Sequence, residues 1–131
     1  MATISKSWST AASVYTTNLY SGADADVTTI VYTDNIDLET NGYEGCVITI
    51  KFDADNATDD LIVTVLPSLS SSHDTDEIST HYFNLENDGT EMIYTIVIKD
   101  FPHFYLSLAR SGTSTTFDID VSYRAWRWTV A

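Results

Sequence analysis

The sequence predicts an all-β protein: two antiparallel sheets packed face to face as a jelly-roll-like sandwich of seven or eight strands. Three observations predict it. Apolar and polar residues alternate with period two through segment after segment, as strands with one side to hide should. Thr, Val, Ile and Tyr are abundant, helix formers are sparse beyond the first few residues, and only two prolines interrupt the chain. Turn signals separate the alternating segments and leave no room for a helix. A chain of 131 residues makes one domain and can bury roughly two-thirds of its unfolded surface without staples. The cysteine–tryptophan–cysteine spacing of immunoglobulin domains is missing, which favours the jelly-roll arrangement.

Residues 1–12 read as an extended amino-terminal arm in which Ile4 and Trp8 are isolated apolar anchors, and residues 13–131 as the sandwich. Ser13 to Tyr20 is a first, weakly alternating strand, S21-G-A-D-A-D26 a loop, and Val27 to Tyr32 a second strand. Asp34, Asn35 and Asp37 form a polar corner that still carries Ile36 and Leu38, and E39-T-N-G42 turns it. Tyr43 to Phe52 is the clearest interior strand, with Cys46, Ile48, Ile50 and Phe52 on one side. The acidic loop D53-A-D-N-A-T-D-D60 leads into Leu61 to Leu66, which Pro67 should end or bulge. S68-L-S-S-S-H-D-T-D-E77 is long for a hairpin loop, so it crosses between sheets or stands out from the surface. Ile78 to Leu85, the turn E86-N-D-G89, and the alternating Glu91 to Ile98 follow. Lys99 to Pro102 turns the chain into Phe104 to Ala109, and R110-S-G-T-S-T115 precedes the terminal strand. The predicted core is Ile48, Ile50, Phe52, Leu61, Val63, Val65, Ile96, Ile98, Leu106, Ile119 and Val121.

The terminal strand breaks its own rule. Phe117, Ile119, Val121 and Tyr123 face one way and Asp118, Asp120 and Ser122 the other, but the aspartate side continues through Arg124, Trp126 and Trp128. Either a bulge after Tyr123 swaps the faces and buries both tryptophans, or the outward face meets another protein. The interface alternative enlists Trp8, Arg124, Trp126, Arg127 and Trp128, since Trp and Arg concentrate binding energy at interface centres.

Charge and motifs narrow the function. Nineteen acidic against six basic residues give a net charge of -13, a surface that repels nucleic acid and anionic membranes. No apolar run is long enough to span a bilayer and the amino terminus lacks a signal-peptide core, so cytoplasmic synthesis is expected. The lone Cys46 reads as a small core residue. His73, His81 and His103 match no metal-ligand spacing, and neither a nucleophile elbow nor a phosphate loop occurs, so no catalytic residue is assigned and no enzyme is expected. Calcium is the one conceivable cofactor: Asp53, Asp55, Asp59 and Asp60 could offer several oxygens from one loop. The loop lacks the glycine and distal glutamate of an EF-hand, so the expectation is a solvated acidic turn and no cofactor.

Two passages, I36-D-L-E-T-N-G-Y-E-G45 and V121-S-Y-R-A-W-R-W128, carry a family likeness. Through them the chain resembles the small β-sandwich structural proteins encoded among virion genes of tailed bacteriophages. The resemblance implies a head-decoration, neck or fibre component, made in the host cytoplasm and ending in the virion. It also implies a homo-oligomer, trimer or higher, docked on the major capsid protein or another structural subunit, and it transfers no catalytic residue. The competing expectation is a carbohydrate-binding sandwich that uses tyrosines and tryptophans as an aromatic platform, with or without calcium.

Overall fold

A computed structural model describes residues 3–18, 30–68 and 81–130, and within them finds ten strands and no helix. They are β1 (Ile4–Trp8), β2 (Ala12–Asn18), β3 (Val31–Tyr32), β4 (Ile36–Asp37), β5 (Gly45–Ala54), β6 (Leu61–Ser68), β7 (His81–Leu85), β8 (Met92–Lys99), β9 (His103–Arg110) and β10 (Phe117–Val130). The loop predicted at 21–26, most of the stretch 68–77 with His73, and the first residues of the strands predicted from 27 and 78 lie outside the described residues.

Every pairing is antiparallel, and the pairs nest. The hairpin β6–β7 lies innermost in sequence, then β5 with β8, then β3 and β4 with β9, then β1 and β2 with β10. Two five-stranded sheets result: β10 between β5 and the β1/β2 edge with β8 beyond β5, and β9 between β6 and the β3/β4 edge with β7 beyond β6. The all-β, two-sheet antiparallel arrangement is the one that the alternation predicts. Residues 4–8, within the stretch read as an arm, are paired as β1 along the end of β10. Pro67 neither ends nor visibly interrupts its strand; it is the penultimate residue of β6, opposite Phe104.

The inner faces come directly from the period of two. Cys46, Ile48, Ile50 and Phe52 of β5 meet Phe117, Ile119, Val121 and Ala125 of β10, and from the other sheet Leu61, Val63, Val65, Phe104, Leu106 and Leu108, all fully buried. All eleven positions picked for the core belong to this cluster. Each of the Val, Leu, Ile and Phe side chains among them contributes roughly 1.5–3 kcal/mol by leaving water. The rings interlock edge to face: Phe52 and Phe117 lie 5.3 Å apart between centroids. Burial also pushes the Cys46 thiol up to about 12, so the single cysteine is chemically quiet at neutral pH.

The anomaly in the terminal strand resolves against the bulge. β10 keeps one register against β5 from Phe117↔Ala54 to Trp126↔Gly45 without a break, so its faces never swap. A pairing shift does occur, but against β2 and earlier, between Val121 and Ser122, where Val14 is the extra residue. That extra residue explains why β2 alternates weakly in sequence. Trp126 therefore stays on the outer face of its sheet, outside the hydrophobic core.

Candidate functional site

β10 is longer than its partner. Its last pairing to β5 is at Trp126, and from Arg127 to Val130 it pairs, among the described residues, only with β1. A two-stranded ribbon thus runs past the end of the sandwich. Opposed residues of an antiparallel pair share a face, so the register Trp126↔Trp8, Trp128↔Lys6 and Val130↔Ile4 puts all six side chains on one side. Ile4, Trp128 and Val130 are 68%, 55% and 70% exposed, which is unusual for residues of this type lying side by side.

Trp126 is different, and a glycine explains why. It is only 7% exposed. Its ring lies across Gly45, where a Cβ would come within 2.5 Å of the ring and 2.8 Å of Lys99 Cβ. Only a residue without a side chain leaves that floor open. Trp8 covers the ring from the other side, with centroids 5.5 Å apart and planes tilted by 54°. Lys6 completes the stack: its ammonium stands 4.7 Å from the Trp126 ring, 5.5 Å from Trp128 and 5.7 Å from Trp8. The Arg124 guanidinium lies 5.8 Å from Trp8 and donates from Nε to the Ser9 carbonyl at 3.1 Å. Each cation–ring contact of this exposed kind is worth about 0.5–1 kcal/mol, so the ribbon is stiffened by its own side chains.

The passages at 36–45 and 121–128 meet here. Gly45 faces Trp126, the Glu44 amide donates to the Trp126 carbonyl at 2.8 Å, and Arg127 donates to the Asn41 carbonyl at 3.3 Å. Of the five predicted interface residues, Trp8, Arg124, Arg127 and Trp128 present exposed surface, whereas Trp126 is their buried support. Sequence reasoning missed Lys6 and Gly45. Lys6 was legible in principle, because Ile4, Lys6 and Trp8 alternate; Gly45 needed the register.

The acidic loop sits at the far end of the same strands and has a different character. Asp59 is 4% exposed, and its Oδ2 accepts from the Ser114 and Thr115 amides at 2.7 and 2.9 Å. Gly112 gives it room, since a Cβ there would meet Asp59 Oδ1 at 2.4 Å. Asp60 accepts from Asn84 Nδ2 and the Asn87 amide, and Asp55 from the Thr116 amide at 2.8 Å. Asn56 and Asn87 tie the rest, Asn87 Nδ2 donating to the carbonyls of Asn56 and Asp59. These carboxylates hold three turns together. Among the described residues no three acidic, His or Cys side chains gather as a metal ion requires, so Asp53, Asp55, Asp59 and Asp60 do not form the calcium cluster considered above. Backbone N–H groups occupy one carboxylate oxygen each of Asp55, Asp59 and Asp60, oxygens that a cation would otherwise use.

His103, on β9, is buried in a second polar knot. Its Nε2 lies 3.0 Å from Glu39 Oε2 and its Nδ1 3.3 Å from Asn35 Nδ2, with Asp37 Oδ1 at 3.7 Å. Asp37 in turn accepts from Thr40 and from the Glu39 amide, and those bonds, with the Thr40 hydroxyl foremost, hold its carboxyl below the usual aspartate range. The knot fastens the 35–40 corner to the sheet.

No protein-family model matches the chain, and no curated protein matches it significantly.

Proposed function

We propose that the protein is a non-enzymatic virion structural component, a capsid decoration or accessory protein, that self-associates and docks on other structural subunits through its β1–β10 ribbon. One observation carries this reading: an apolar, tryptophan-rich ribbon that projects past the sandwich, is braced by cation–ring contacts, and leaves Ile4, Trp128 and Val130 in solvent. Exposed aromatic and arginine groups on a rigid support are what interface centres are made from.

The topology is in keeping with it. Counting β3 and β4 as one interrupted strand and leaving out β1, the sheets run first-eighth-third-sixth and second-seventh-fourth-fifth. That nesting supports a jelly roll, an architecture used in capsids and in lectins alike, so it narrows the reading without deciding it. The ribbon favours the capsid branch over the lectin one. Sugars stack on bare ring faces, and here Lys6 stands over all three tryptophans.

The test is location. An antibody against the chain should label intact virus particles purified from cultures that carry the gene, at many copies per particle. Recovery of the protein only from the soluble fraction, with particles unlabelled, overturns the proposal.

A further inference from the structure

Charge is segregated along the molecule. All nineteen acidic residues lie between Asp24 and Asp120, whereas the two terminal stretches that supply the ribbon, 1–12 and 121–131, hold no acid and three of the six basic residues, Lys6, Arg124 and Arg127. The ribbon is therefore the cationic pole of a strongly anionic protein. Two ribbons placed face to face would set like charges together, so a two-fold contact of ribbon on ribbon is disfavoured.

The other pole lies on the same sheet face. Asp118 and Trp128 both point outward from β10, ten residues apart, a span of about 33 Å at the usual rise of a strand. Asp118 is directly opposite Asp53 of β5, two exposed carboxylates facing each other across the pair. Like charges so placed repel, and among the described residues neither has a hydrogen-bond or ion-pair partner. They border a groove of about 250 Å³ lined by Asp53, Ala54, Asp55, Thr116 and Asp118. This end is acidic and open at the surface; the ribbon is basic and apolar at its surface. One chain carries both halves of a complementary pair.

We propose that copies of this chain associate head to tail, the β1–β10 ribbon of one seating against the acidic Asp53–Asp118 end of the sheet face of the next, with Arg124 turned toward those carboxylates. The inference rests on the reading of the ribbon as a docking surface and adds its occupant. A contact between two different patches does not close on itself at two copies. It continues until rotation closes a ring, or it grows as a filament.

Two variants test it, both checked for an unchanged β spectrum by circular dichroism. Arg124→Ser with Trp128→Ser removes the ribbon surface; Asp53→Ser with Asp118→Lys removes the acidic one. Light scattering should find the wild type oligomeric, dissociating as salt is raised, and each variant monomeric alone. Mixed in equal amounts, the two variants should form a heterodimer and stop there, because each retains one working patch. A wild type that stays monomeric at all accessible concentrations overturns the inference. So does an acidic-end variant that still assembles while the ribbon variant does not, although that result leaves the ribbon as a docking surface. Particle labelling decides the virion reading separately, whatever the outcome here.

Discussion

Gly45 and Gly112 stand at opposite ends of the β5–β10 pair, and each makes room for one intruding side chain. At Gly45 the intruder is an indole, at Gly112 a carboxylate. The consequences differ. The Asp59 carboxylate is spent inside the chain, its Oδ2 satisfying amides of a turn 55 residues away. The Trp126 ring instead becomes a platform: it is covered by Trp8 and by Lys6, and Lys6 also stands over Trp128, which is exposed to solvent. Polar groups spent inside the chain are architecture, whereas apolar groups held rigid and left uncovered are available to a partner. The comparison places the structural burden on Asp59 and leaves the ribbon, with the exposed Asp53 and Asp118 as its proposed counterpart, for docking.

Among the largest expected effects is the one at Asp59. Replacing it with Ala removes two charge-assisted bonds and leaves the Ser114 amide and the buried Thr115 amide unpaired, at a cost of roughly 3–5 kcal/mol. Urea unfolding should show the midpoint falling with little change in slope. A loss under about 1 kcal/mol would mean that the three turns are held by something else, and the contrast between the ends would fail. Added calcium should leave the melting temperature of the wild type unchanged.

Gly45→Ala comes next. The new methyl would sit within the Trp126 ring, so either the ring leaves or the strands part, at about 1–3 kcal/mol for an overpacked site. Tryptophan emission should shift to the red as Trp126 gains water. Unchanged emission and stability would show that the ring does not lie across the glycine.

A smaller effect concerns the 35–40 corner. Because Asp37 is held below the usual aspartate range in the folded protein, its contribution is present above the ordinary value of about 3.8 and is lost as pH falls through the lowered folded value. Asp37→Asn should therefore lower stability at neutral pH and flatten the acid limb, its profile converging on the wild type as pH falls below that value. A variant profile that runs parallel to the wild type across the acid range would remove Asp37 from the account.

The core and the sheet count were legible because burial repeats every second residue within a segment, a local signal. Ile48, Ile50 and Phe52 declare themselves without reference to any neighbour. β1 was not legible in the same way. Its partner lies at the other end of the chain, and Ser5, Lys6 and Ser7 look like an arm until Trp128 and Arg127 are set opposite them. The same holds for both sites. Four aspartates in eight residues suggest a cation, and only the fold reveals that the 111–116 turn brings amides to Asp55 and Asp59. The two tryptophans posed a choice between core and interface, and the fold divides them: Trp126 is covered by nonlocal contacts and Trp128 is not.

That division supports the most discriminating prediction, although its effect on stability is the smallest. Trp128 is 55% exposed, and its described ring contact is with a lysine ammonium at 5.5 Å. Trp128→Ala removes no core volume and leaves no buried polar group unpaired, so stability should stay within about 0.5 kcal/mol of the wild type. Trp126→Ala, two residues away, removes a buried ring that Trp8 and Lys6 lean on, and should cost about 3–5 kcal/mol in the range of buried aromatic truncations. Association should respond differently: Trp128→Ala should weaken it by at least about 2 kcal/mol if Trp128 is a binding centre. Measuring both quantities on both variants separates support from surface. If Trp128→Ala destabilises the monomer as much as Trp126→Ala does, the ribbon is a packing element. In that case its exposed side chains have no docking role.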